Sequence, residues 1–288
     1  MGIARGVAAQ AAVYRGCVVT QSSRDDASYR HREIAGSFGA DAAKYDRLRP
    51  RYPEPLVDAV AERLPGRSLL DVGIGTGISS QPFFERGFTV LGVEPDERMA
   101  SLARSKGLAV ETGRFEDWDP AGRVFDGVIA GQSWHWIDPD AGARRAAETL
   151  RPGGVLAIFW NFGAPPRQLA ARFAEVFDSL DTGLPFNPWS ASARPDRFEN
   201  PYGSIIDRAA AGLAATGAFG EADRHSWTSA STVARDEWLE STSTSGGINR
   251  LPKDTLDALL DGLGKVIDDA GGSLEVTSGT VAAITTRV

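Results

Sequence analysis

This chain is poor in the residues from which several kinds of site are built. It has a single cysteine, Cys17, in 288 residues, so no internal disulfide can form and an oxidising compartment is not indicated. It has three histidines (31, 135 and 225) without ligand spacing, so no metal constellation is visible. No apolar run approaches the roughly 18 residues that suggest a membrane span. No Gly-Lys-Ser/Thr phosphate loop occurs. Only four of the 31 basic residues are lysines, and the formal net charge is −7. An acidic balance disfavours broad nucleic-acid binding, which wants a basic surface. Hydrophobic residues make up 42% and charged residues 24%, ordinary values for a globular chain long enough to bury a sizeable core. These properties together suit a cytoplasmic protein.

What is present is organised around Ser68–Ser80, which reads SLLDVGIGTGISS. An apolar run turns acidic at Asp71 and then places glycines at 73, 75 and 77. The pattern predicts a buried parallel strand breaking into a tight turn that feeds a helix. Glycines there permit unusual backbone angles and let a ligand approach the main chain. The dinucleotide pattern G-x-G-x-x-G fails, because the third position is Ile78. A carboxylate at 71 would also repel a pyrophosphate. It suits a ligand with an ammonium group, as S-adenosylmethionine has. Glu94 closes the next apolar run, where an acidic side chain can accept hydrogen bonds from both ribose hydroxyls.

Strands and helices alternate from Pro53 to Trp160. Helices are expected from Pro53 to Leu64, Ile78 to Arg86, Asp96 to Lys106 and Ala141 to Leu150. Strands are expected at 88–94, 108–111, 125–130 and 154–160. This alternation implies an α/β, doubly wound, mostly parallel sheet. Later expected elements are a strand at 221–231, an amphipathic helix at 253–270 and a final strand at 273–288. Residues 1–28 read as a poorly ordered, dispensable extension, Ser28–Ala43 as a helix, and 29–288 as one domain. Within it, 162–220 reads as a helical and aromatic lid insertion. Residues 181–202 are rich in proline and aromatics, as lids and binding loops often are, with an irregular packing segment as the alternative.

Four segments in order, Y-D-R-L-R-P-R-Y-P (45–53), D-V-G-I-G-T-G (71–77), G-V-E-P-D-E-R-M (92–99) and G-Q-S-W-H-W-I-D (131–138), resemble the class I S-adenosylmethionine-dependent methyltransferases. Within these the chain is similar to small-molecule, trans-aconitate-methyltransferase-like (methyltransferase type 11) members, over about residues 35–160. The resemblance implies a seven-stranded Rossmann-like sheet and S-adenosyl-L-methionine as cofactor. It implies cofactor contacts from Tyr45, Arg49, Asp71, Gly73, Gly75, Glu94, Pro95, Met99, Phe115, Glu116 and Gln132. Tyr45, Arg49 and Tyr52 would cap the methionine end, or else form a packed connection. Relatives often carry an aspartate where this chain has Arg114. The acceptor is expected against Trp134, His135, Trp136 and Trp189, with His135 either a general base or a structural histidine between two tryptophans. A small-molecule acceptor is expected, without nucleic acid, membrane or metal, in a monomer or homodimer. The alternatives are a same-fold protein that binds the cofactor without methyl transfer, and a nicotinamide-dependent oxidoreductase.

Overall fold

A computed structural model describes residue 29 and residues 36–184, 187–190, 203–245 and 247–288. The expected extension at 1–28, most of the helix expected from Ser28, and Phe186, Phe198 and Tyr202 of the expected lid lie outside the described residues.

The core is one seven-stranded sheet, β1 (Ser68–Val72), β2 (Thr89–Glu94), β3 (Ala109–Thr112), β4 (Phe125–Gly131), β5 (Leu150–Ala164), β6 (Asp223–Ala234) and β7 (Ser273–Thr286), in the order β3-β2-β1-β4-β5-β7-β6. The first five strands pair in parallel, and β7 runs antiparallel to both β5 and β6. The order reverses between β1 and β4, which opens a crevice at the carboxyl ends of the strands, where such sheets take ligands.

Alternation along each strand sends its side chains to two different cores. Leu70, Val72, Val128, Leu156, Ile158 and Trp160 pack on one face, under α5 (Pro139–Thr149) and α7 (Gly203–Ala215). Leu69, Ile129, Val155, Ala157 and Phe159 pack on the other, with Leu56, Val57 and Val60 of α2 (Glu54–Ala61), Phe83 of α3 (Gln81–Glu85) and Ala103 of α4 (Glu97–Ser105). Burial on both faces explains why these strands read as continuous apolar runs. Pro53 caps α2 and Asp96 caps α4, the latter by accepting the Arg98 amide N–H. Among the described residues no helix is long and apolar enough to cross a membrane.

Two differences from the sequence reading matter for the site. Within the described part of the expected Ser28–Ala43 helix a 3-10 turn covers Phe38–Asp41, and α1 is Ala42–Leu48, where a connection was expected. Asp41 starts α1 by accepting the Lys44 amide N–H at 2.9 Å, and Pro50 cannot continue it. Of the aromatics in the expected lid insertion, the described ones pack into a core. Phe173 and Phe177 of α6 (Arg167–Asp178) and Trp189 join Leu259, Leu263 and Ile267 of α9 (Lys253–Asp269) in a third apolar cluster that also holds Leu274 and Val276 of β7. The aromatics there fill a core, so the packing alternative holds for them.

One buried acid fastens the amino end of β1. Asp126, 3% exposed, accepts the Ser68 amide N–H at 2.8 Å and lies 2.8 Å from Arg151 Nη1. Asp126→Ala leaves a strand N–H and a guanidinium unpaired, at an expected cost of about 1–3 kcal/mol in urea unfolding. An unchanged midpoint would show that the pair contributes nothing.

Candidate functional site

A cavity of about 530 Å³ opens at the carboxyl edge of the sheet. Its floor is the glycine turn. Gly73 and Gly75 have φ of +66° and +57°. A Cβ on Gly73 would meet the Ser133 Cβ at 2.6 Å, so only glycine fits there. At Gly75 a Cβ would meet only the Met99 methyl, at 3.6 Å, so the backbone faces open space on its cavity side.

Glu94 ends β2 beside this turn. Its Oε2 accepts the Gly75 amide N–H at 2.9 Å and its Oε1 accepts the Asp96 amide N–H at 3.0 Å. Burial pushes its carboxyl up to about 7, against the pull of those two N–H groups, and the nearby Asp96 and Asp71 charges add to the rise. The Met99 side chain approaches from α4, and Phe115, Glu116 and Ile137 line the same end. Glu116 Oε1 accepts the Asp138 amide N–H at 3.1 Å, and the Arg114 guanidinium lies 3.5 Å from Asp117.

The opposite end is lined by Phe38, Tyr45, Arg49, Tyr52, Gln132 and Trp136. Phe38 packs on Tyr45 (centroids 5.6 Å) and Trp136 (6.4 Å), and the Arg49 guanidinium sits 4.8 Å over the Tyr45 ring. Burial pushes the Tyr45 phenol up, against the Arg49 charge beside it, which keeps the hydroxyl protonated. Gln132 turns the chain at the end of β4 with φ of +57°, uncommon for a residue with a side chain, and its Nε2 donates to the Asn161 carbonyl at 2.6 Å. Asn161 in turn donates to the Pro50 carbonyl at 3.1 Å and accepts from Thr280.

The structure therefore brings Tyr45, Arg49, Gly73, Gly75, Glu94, Pro95, Met99, Phe115, Glu116, Gln132 and Trp136 to one cavity. Four expected site residues do not line it. Asp71 lies beneath the turn, fully buried, and its Oδ2 accepts the Ser79 and Ser80 hydroxyls at 2.6 Å each. Strand parity sends it to the face of Leu69, toward the start of α3, away from the cavity. Trp134 points into the core against Phe115 (6.4 Å). Trp189 belongs to the third cluster, packed edge-on to Phe173 and Phe177. His135 lies behind Trp136, and its Nδ1 accepts the Trp160 Nε1–H at 3.0 Å. Burial, with the Arg208 charge as a smaller contribution, holds its imidazole down at about 4, so it is neutral across the physiological range.

Some lining residues carry no sequence signal, Phe38 and Ile137 among them. Asn161 carries one: it is a polar residue inside the apolar run of β5. Among the described residues, no group of three or more His, Cys, Asp or Glu side chains is arranged to hold a metal ion.

The His135 geometry makes a prediction. His135→Ala removes the acceptor that the Trp160 N–H uses in a fully buried ring, at an expected cost of about 1–3 kcal/mol in stability. The pH dependence of any turnover should be unchanged. A large, pH-dependent loss of turnover in a fully stable variant would restore His135 as a base.

Comparison with known proteins agrees with this geometry. Residues 70–158 match the methyltransferase domain family. An uncharacterized methyltransferase of Mycobacterium tuberculosis is 35% identical over 132 residues, covering 45% of this chain and 54% of the relative. A ubiquinone biosynthesis O-methyltransferase of Agrobacterium fabrum is 31% identical over 147 residues, covering 48% and 58%. The chain thus spans little more than half the length of these curated relatives. A solved protein of Anaeromyxobacter dehalogenans, assigned as a type II methyltransferase, shares the fold, with 22% identity, a TM-score of 0.50, and coverage of 82% of this chain and 97% of that one. The sheet order, the glycine turn with its acid at the end of β2 and the match agree: residues 70–158 carry a methyltransferase domain, and the chain is similar to the class I S-adenosylmethionine-dependent methyltransferases over this part.

Proposed function

We propose that this protein transfers the methyl group of S-adenosylmethionine to a small-molecule acceptor. The observation that carries the proposal is the pairing of Glu94 with an open glycine turn inside one cavity. Glu94 uses each carboxylate oxygen once on a backbone N–H, and each keeps a lone pair for a ribose hydroxyl. The Gly73–Gly75 backbone leaves room for the methionine moiety, with Tyr45 and Arg49 above it. Met99, Phe115 and Ile137 offer apolar surface to the adenine. Gln132, Trp136 and Tyr52 face the acceptor. The single cysteine supports a cytoplasmic location.

The sulfonium of the cofactor supplies an already activated methyl group. The residues then have to align a nucleophile with it and exclude water. Among the described residues no histidine lines the cavity, and its carboxylates, Glu94, Asp96, Glu97 and Glu116, lie at the end assigned to the adenosyl group. The acceptor is therefore expected to bring its own nucleophile, held by the aromatic wall of Phe38, Tyr45, Tyr52 and Trp136.

Calorimetry with S-adenosylmethionine, using NAD as a control, tests the cofactor. A methyl-transfer assay across candidate acceptors tests the reaction, and binding without transfer to any acceptor would leave a binding protein. Glu94→Ala should weaken cofactor affinity by on the order of ten-fold or more, because ribose hydroxyls would be buried unpaired. Binding also favours the ionised carboxylate, which accepts from both hydroxyls. Affinity should therefore hold above pH 7 and fall as the pH drops through about 7, by up to about ten-fold per unit. Glu94→Gln should abolish that slope. A slope that persists in Glu94→Gln would assign it to another group.

A further inference from the structure

Residues 36–52 form one wall of the cavity, and the two ends of this wall are held differently. At the carboxyl end it is rooted in the core. Tyr52 packs edge-on against Phe159 (centroids 4.7 Å), and Asn161 holds the Pro50 carbonyl. Toward the amino end the contacts are local: Arg98 Nη2 donates to the Gly36 carbonyl at 2.8 Å, and Phe38 packs on Tyr45 and Trp136. None of the residues of α1 is fully buried, although the Tyr45 ring is largely enclosed. Its Asp46 accepts the Thr76 hydroxyl at 2.7 Å and lies 2.6 Å from Lys106 Nζ, which also donates to the Thr76 carbonyl at 2.9 Å. Thr76, 1% exposed, lies between Gly75 and Gly77. Three elements are thus knotted at the turn that forms the cavity floor.

A second set of contacts joins the wall to residues 240–249. Ser37 and Asn249 exchange two hydrogen bonds at 3.1 Å, Arg47 pairs with Glu240 at 3.2 Å, and Arg49 Nη1 donates to Ser245 at 3.3 Å. The Arg47–Glu240 pair is exposed, with side chains 64% and 45% accessible, whereas Lys106 and Asp46 are 25% and 18% accessible. A half-buried, charge-assisted pair holds more strongly than an exposed one. The Asp46 knot is therefore the stronger of these two ion pairs; Arg49 Nη2 also donates to the Thr244 carbonyl, just past α1.

We propose that Asp46, Lys106 and Thr76 form a latch that fastens the wall of residues 36–52 over the glycine turn and sets how fast cofactor and product exchange. The proposal rests on the S-adenosylmethionine reading of the cavity. Elements held by few polar contacts and little apolar burial open at lower free energy than the core around them, and release steps are often gated by such elements. The three are positioning residues. They touch the wall and the turn, and none is assigned to the reacting atoms.

S-adenosylhomocysteine is the probe, followed by stopped-flow tryptophan fluorescence, since Trp136 lines the cavity. Lys106→Met and Asp46→Asn should each raise its dissociation rate on the order of ten-fold, with the double variant no faster than either. Arg47→Ala, which removes only the exposed pair, should stay within about two-fold of the parent, and Lys106→Arg should retain most of the parent's slow release. Thr76→Val deletes one hydroxyl of the knot and should raise the rate in the same direction, so the test survives a latch variant that fails to fold. No binding of the probe to the parent protein would overturn the cofactor reading itself. Tight binding to the parent, with parental release rates in Lys106→Met, Asp46→Asn and Thr76→Val, would overturn the latch alone.

Discussion

The contact on which the site depends is the one between Glu94 and the Gly75 amide. It joins the end of β2 to the turn after β1, two strands that the sheet already holds in register from Ser68 opposite Thr89 to Val72 opposite Val93. The sheet brings the carboxylate to the turn, and the carboxylate fixes where the turn's N–H groups point. The Gly73 amide completes the arrangement by donating to the Val93 carbonyl at 2.8 Å. Without glycine at 73 the chain could not pass Ser133, and the crevice between β1 and β4 would close. Fold and site are coupled here: one carboxylate satisfies backbone donors at the turn and at the start of α4, and still presents oxygen to the cavity.

The central sheet was legible in the sequence because burial on both faces leaves apolar runs that polar or glycine-rich turns interrupt. Leu69-Leu70, Val90 to Val93 and Val155 to Trp160 are strands for that reason. The turn chemistry at 71–77 and the acid at 94 were legible because few other residues suit those backbone positions. The cap was only half legible. Tyr45 and Arg49 stand in a recognisable segment, but Phe38 has no pattern around it, and the wall's partners at 240–249 are about 200 residues away in the chain. Long-range polar contacts of that kind leave no periodicity to read. Among the described residues the wall over the cavity comes from residues 36–52, and Trp189 of the segment 181–202 packs elsewhere. An aromatic in an irregular segment fills a core as readily as it covers a ligand, and composition alone does not distinguish the two.

Asp71 and His135 show a second limit. Both residue types are chemically apt and both lie at the correct edge of the sheet. Parity along β1 turns Asp71 toward Ser79 and Ser80, and the 3-10 turn after β4 presents Trp136 to the cavity in place of His135. A shift of one residue decides whether a side chain faces ligand or scaffold, and sequence position is rarely read that finely. The structural roles are substantial: Asp71 anchors the segment entering α3, and His135 satisfies an indole N–H in a fully buried tryptophan.

The electrostatics of this edge follow from the same burial. Asp71 and Glu94 are both pushed up by desolvation, to about 6 and about 7, with each serine hydroxyl or backbone N–H only partly offsetting the cost. Two acids close enough for the Asp71 charge to raise Glu94 make the turn an unfavourable place for an anion and a favourable one for a cation. A ligand bringing positive charge near the turn would stabilise the ionised form of both. The Arg49 guanidinium stands at the far wall, over Tyr45, where it favours negative charge instead. A zwitterionic tail laid between turn and wall would place its carboxylate toward Arg49 and its ammonium group toward the turn, with Asp71 beneath it and Glu94 left to the ribose. The field inside the cavity is thus polarised along the axis that an amino-acid end requires, and a dinucleotide pyrophosphate would meet the acids at the point where it most needs donors.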